Sequence, residues 1–317
     1  VTRFLAKRIG QALVVVALVT VIVFLLLHTV PGGPARGILG PQATAAAIAA
    51  FNHEHGFDRS LPEQYWMYVS GLLHGDLGAS YTLNQSVSSL IEQRIPKTLV
   101  LTGLSTLVAL LVAIPLGVWQ GRRRKGLTDY FITTLVFIGY ATPVFFLALI
   151  LVIVFAEKIP ILPVQAPQAE TLAGLFADSR GLVLPILAGA IASVAVFSRY
   201  MRSAVLDNLA EDYVRTARAK GASERRVVWL HIMRNSLTPI VAMLGYQLPV
   251  LFSGALVIES VFNYPGMGLL FWNAAQTSDY PILLGAVLVI AVATVIGSLI
   301  ADILQAFIDP RVRGAIK

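Results

Sequence analysis

Six stretches of about 20 mostly apolar residues recur along this chain, each closed off by proline, glycine or basic residues. They fall at about 10–30, 98–119, 130–155, 182–200, 240–261 and 282–303. An α-helix rises about 1.5 Å per residue, so each stretch is long enough to cross the hydrocarbon of a bilayer. Inside lipid every backbone N–H and C=O must find a partner within the chain, which leaves helices as the outcome for single runs of this length. Composition agrees: hydrophobic residues make up 56% of the 317 and charged residues only 13%, outside the range of soluble domains. The first run has no small-residue cleavage site after it and reads as a retained span rather than a removed signal peptide.

The basic residues orient the spans. Arg3, Lys7 and Arg8, Arg122 to Lys125, the cluster from Arg199 to Arg234, and Arg311, Arg313 and Lys317 account for 18 of the 24. Arg36, Arg59, Arg94, Lys97, Lys158 and Arg180 fall in the alternate segments. The asymmetry predicts an all-α polytopic membrane protein of six transmembrane helices with both termini cytoplasmic. The net charge of +7 is thus accounted for by inner loops and not by nucleic acid. Residues 1–30 read as an amphipathic lead-in and helix 1, and 31–97 as a small extracytoplasmic domain. That domain should contain helices near 43–50 and 62–73, the second carrying Tyr65, Trp66 and Tyr68 toward the membrane interface. Residues 98–317 form the core, in which Thr142-Pro143 should bend span three.

The inner segment at about 201–238 is the longest polar one. From Glu211 to Lys220 it favours helix, Gly221 interrupts, and Ser223 can cap a second helix in which Val227, Val228, Leu230, Ile232 and Met233 alternate with charge. Two short amphipathic helices about a glycine hinge are expected, a knob that needs a soluble socket.

Catalytic motifs are missing. There is no G-x-x-x-x-G-K-[ST] phosphate loop, no nucleophile elbow and no H-E-x-x-H, and the absence of cysteine excludes disulfides and thiolate sites. His53, His55, Asp58, His74 and Asp76 do not have the spacing of metal ligands on one helical face, so no metal site is expected. Few ionisable groups lie in the spans. Glu259, toward the outer end of span five, is expected to face a substrate path, and Asp302 to pair with an inner basic residue. So little buried charge argues against an ion-coupled secondary transporter, which stays the alternative together with a membrane scaffold or sensor.

The phrase DYVRTARAKGASERRV (212–227) is similar to the ATPase-docking loop of dipeptide and oligopeptide permeases. GFDRSLPEQYWMYVSGLLHGDLGAS (56–80) resembles the first outer loop of their B-type subunits, and Val87, Ile91, Arg94, Pro96, Thr98 and Leu99 continue the likeness. RYMRSAVLDNL, VFNYPGMGLL and the DPRVR near the end add further blocks. The chain is identified as resembling a B-type permease subunit of the dipeptide/oligopeptide/nickel ABC importer family. The resemblance implies a peptide permease of the bacterial inner membrane, without an ATPase site or cofactor of its own. It further implies a heterodimer with a second permease subunit, two ATPase subunits (or one fused) that carry ATP and Mg, and an extracytoplasmic substrate-binding protein. Nickel, glutathione and haem are alternative cargoes within the family. Docking is carried over to Tyr213, Val214, Arg215, Thr216, Ala217, Arg218, Ala219, Lys220, Gly221, Ala222 and Ser223. Three positions depart from the family pattern: Arg215 stands where the general loop motif has Glu, Gln305 where Tyr is common, and Ser278 where Arg is common.

Overall fold

The computed structural model describes residues 2–29, 33–122, 126–253 and 255–308. Helices dominate, and among the described residues there is no β-strand, only an isolated bridge between Ala79 and Ser86. Five helical stretches are long and apolar enough to cross a membrane, and a bent pair makes up to six.

The first of these lies in α1 (Thr2–His28), one helix that also contains the residues expected as a lead-in. Nothing between Arg3 and Gly10 breaks helical continuity, so the two merge. After it come α2 (Gly33–Leu39), α3 (Ala45–Glu54) and α4 (Leu61–Leu73). The last two match the expected helices, and their starts are visible in sequence. Thr44 accepts from Ala47 N, and Ser60 forms a reciprocal capping box with Glu63. Tyr65 and Tyr68 pack on Phe24 of α1, while Trp66 stays exposed.

Helix α5 (Val87–Arg122) starts eleven residues or so before the expected span, because Val87, Leu90 and Ile91 bury against Met267, Leu270 and Ile282. At about 1.5 Å per residue it is roughly 54 Å long, well beyond a hydrocarbon core of ~30 Å. It crosses α9 (Val183–Leu209) closely. A Cβ on Gly117 would lie 2.6 Å from Met201 Cβ and 2.8 Å from Ser198 O, and one on Gly121 would lie 2.6 Å from Val205 Cγ1. Two glycines four apart thus clear one helix face for the other backbone, as small residues do in membrane helix pairs.

The expected bend in span three is a break. Helices α6 (Leu127–Ala141) and α7 (Val144–Val152, prolonged by a π-helical turn over Ile153–Lys158) meet at 103°. Proline disfavours the α conformation in the residue before it, and Thr142 is extended at ψ 124°. Pro143 then opens α7 from outside instead of kinking a continuous helix. Beyond it lie α8 (Leu172–Ala177), a 3₁₀ turn and α9.

The chain continues through α10 (Asp212–Ala219), α11 (Glu224–Arg226), α12 (Met233–Ser253), α13 (Leu256–Val261), α14 (Met267–Gln276) and α15 (Tyr280–Ile308). Asp279, fully buried before α15, accepts from Ser80 Oγ at 2.6 Å, Thr82 Oγ1 at 2.8 Å and Thr82 N at 3.1 Å. This ties residues 80–82 to the start of the last long helix. Side chains of 301–308 and all of 309–317 lie outside the described residues, and with them Asp302, Gln305 and the basic tail.

Candidate docking segment and outer clasp

The segment singled out in the sequence is built as one short helix and the start of a long one. Helix α10 runs Asp212–Ala219. Gly221 then takes φ +79°, a left-handed value at which only glycine is free of Cβ strain, and reverses the chain. Ser223 caps the next helix by accepting from Arg226 N. The expectation of a second short helix is corrected here: α11 passes through a π-helical turn over Val227–Ile232 directly into α12. No glycine or proline interrupts the apolar residues between Val227 and Leu237, so the helix continues.

Its apolar face is spoken for. Val214, Val227, Val228 and Ile232 are fully buried against Ala113 and Val118 of α5 and Phe197, Met201 and Val205 of α9. Tyr213 OH donates to Asn208 Oδ1, and Asn208 Nδ2 donates to Ser236 Oγ at 3.3 Å, joining α9, α10 and α12 through one polar chain. Tyr213, Ala217 and Ala222 are half-buried beside this cluster, whereas Arg215, Thr216, Arg218, Ala219, Lys220, Gly221 and Ser223 are exposed. The segment is a ridge rooted in the bundle, with its charged side outward. Across the turn, Arg218 grips Glu224 bidentately at 2.7 and 3.2 Å. The guanidinium's hydrogen bond holds the Glu224 carboxyl below its ordinary value. Arg215, standing where the general motif has Glu, reaches only Asp212 at 3.4 Å. Trp229 and Leu230 are exposed beside the ridge.

Glu259 occupies a different setting. It is fully buried, and its carboxylate accepts from Thr98 Oγ1 at 3.1 Å, Ala255 N at 3.3 Å and Leu269 N at 2.9 Å. Thr98 Oγ1 in turn accepts from Met267 N at 2.8 Å. Gly266 and Gly268 lie against the carboxylate, where a Cβ would come within 2.5 and 3.0 Å of its atoms. In this conformation Glu259 clasps α5, α13 and α14 together and meets no solvent. Tyr264 OH donates to Lys97 O across the same junction. Asp58 lies 2.8 Å from His53, and His28 is held between Phe24 O and Gln64 Oε1. The Gly117–Gly121 crossing and the Asp279 tie were missed in the sequence; the four-residue glycine spacing was the available signal for the first.

Residues 113–314 match the family model of the binding-protein-dependent transport system inner membrane component. Residues 1–102 match the N-terminal model of such transport-system membrane components. This chain belongs to that family. It is 35% identical over 311 residues to the oligopeptide transport system permease protein AppB of Bacillus subtilis, covering 98% of each chain. It is 36% identical over 312 residues to the glutathione transport system permease protein GsiC of Salmonella typhimurium, covering 98% of this chain and 99% of the relative. The GsiC of Escherichia coli is 35% identical over the same length. As a membrane component of a binding-protein-dependent transport system, the chain is a multi-pass transport subunit, and its helical spans are the means.

Proposed function

We propose that this permease is one half of the translocation unit of an ATP-driven peptide importer, with residues 213–223 as the surface on which an ATPase subunit docks. The observation that carries the reading is the two-sidedness of that ridge: Val214, Val227 and Val228 bury into α5 and α9 while Arg215, Arg218 and Lys220 stay outside. A push on the exposed side is transmitted to two long helices without an intervening flexible joint. Both ends would lie in the cytoplasm, six spans would cross the inner membrane, and residues 31–97 would face the substrate-binding protein. A second permease subunit would complete the path, and the ATPases, single or fused, would bind ATP and Mg. Glu259 enters this scheme as the clasp that holds the outer half of the unit together. Peptides are the cargo favoured by the naming of AppB, and the naming of GsiC makes glutathione, itself a small peptide, the second choice.

Co-purification in mild detergent of the tagged chain, expressed with its genomic neighbours, tests the machine. A second six-span protein and a P-loop ATPase should come down with it. A homo-oligomer that takes up peptide without an ATPase would restore the secondary-transporter reading.

A further inference from the structure

Helix α6 lies along α9 with a cavity on either flank. One, of about 180 Å³, is lined by Gln120, Thr133, Tyr140, Ser198, Arg199 and Arg202. The other, of about 430 Å³, is bounded by Val112, Leu116, Leu135, Gly139, Ile191 and Val194 and by side chains that are all apolar. Val136 and Ala195 line both, so the two adjoin across these side chains.

The charge in the first cavity is unbalanced. Arg202 gives Nη2 to Asp129 Oδ2 at 3.0 Å, but its Nε is buried without an acceptor. Arg199 is exposed, and its guanidinium stands 5.6 Å from the Tyr140 ring centroid and 5.9 Å from that of Tyr200. No carboxylate is paired with Arg199 among the described residues. Among the described residues, two guanidiniums thus face one carboxylate, in the second half of α9 just past its apolar run. A cation in such a place is costly unless water or an anion meets it. Around it α6 exposes Phe131, Leu135, Phe137 and Ile138, a surface made for acyl chains.

We propose that this groove binds one anionic phospholipid, its phosphate on Arg199 and the free Nε of Arg202, with an acyl chain in the apolar cavity. A peptide is the poorer occupant. Its backbone amides would find no hydrogen-bond partner among Val112, Leu116, Leu135 and Val194, whereas a hydrocarbon chain needs none. A basic pocket between spans joined to an apolar slot is what an acidic headgroup and its tail require. The site joins α6 to α9 ahead of the break at Thr142-Pro143, so the lipid would steady the half of the broken span that the Arg202–Asp129 pair ties to α9.

The test is native mass spectrometry and thermal unfolding of the full chain in nanodiscs of phosphatidylcholine, with or without phosphatidylglycerol. The wild type should keep one phosphatidylglycerol per chain and melt higher in its presence. Arg199→Gln, which leaves the Arg202–Asp129 pair intact, should lower retention about tenfold, the worth of one charge-assisted contact. Arg199→Lys should restore most of it. Gly139→Leu fills the slot from α6, where an added Cβ meets only Ile191 Cγ2 at 3.6 Å, and should abolish retention while the chain stays folded. Equal retention of both lipids by the wild type, or an undiminished preference in Arg199→Gln, overturns the proposal. So does crosslinking of this face to a second permease subunit in the assembled complex, or a change in uptake of free-acid over amidated peptides in Arg199→Gln with lipid retention unaltered.

Discussion

Gly221 is the residue on which the proposed docking ridge turns. Its φ of +79° costs a side-chain-bearing residue roughly 1–2 kcal/mol, more for a β-branched one. No atom lies within 4 Å of where its Cβ would be, so the strain is in the backbone and not in packing. Gly221→Val should therefore leave the chain inserted at normal abundance while peptide uptake falls about tenfold or more; normal uptake would remove the ridge from coupling. Gly221→Asn, which tolerates the left-handed region, should be much milder. The Arg218–Glu224 pair closes the same turn and titrates. Because Glu224 is held below the ordinary glutamate value of 4.5, its contribution is complete above that pH and disappears as pH falls through the depressed value. Carboxyl NMR of Glu224 should show the depressed midpoint, and Arg218→Gln should bring it back toward 4.5.

At the scale of elements, the glycines of α5 and the clasp of α13 carry the predictions. Gly121→Leu forces α5 from Val205, which a Cβ would already approach to 2.6 Å. Overpacking of this kind costs about 1–3 kcal/mol or more, visible as a lowered unfolding midpoint in detergent. Glu259→Gln places an amide NH₂ opposite backbone donors of Ala255 and Leu269, stranding at least one of them at about 1–3 kcal/mol. Limited proteolysis should then cut within 262–279, with uptake reduced alike for all peptides. A changed substrate preference without such loosening would place Glu259 on the path after all. The long helices were legible because an apolar run of 20 residues has one solution in lipid, and α3 and α4 because Thr44 and Ser60 announce them. Helix α2 was not, since Pro31-Gly32-Gly33-Pro34 reads as a stop and nothing in GPARGIL supplies a period. The size of the break at Pro143 was also hidden. A proline says that a helix is interrupted, but the 103° angle is set by what α7 packs on, which is α9 and α13. The surroundings of Glu259 were hidden for a related reason: a carboxylate beside an apolar run can be read from sequence, but the three donors that meet it belong to α5, α14 and Ala255.

For the whole molecule, the proposed topology can be tested directly because the chain has no cysteine. Single cysteines at Leu83 and Ser179 should react with an impermeant maleimide from outside intact cells, and at Arg218 only after permeabilisation; the reverse pattern overturns the orientation. Between those two faces runs α5. Thr98, which anchors the outer clasp, and Val118, which lies under the docking ridge, are on the same unbroken helix, roughly 30 Å apart at about 1.5 Å per residue. In the proposed importer such a member would act as a connecting rod. A tilt imposed beneath the ridge reappears at the clasp with no separate messenger, and the delay between the two is governed by the rod's bending stiffness. Pro115, near the driven end, is then its built-in compliance, so the sharpness of coupling should be tunable there without touching either face.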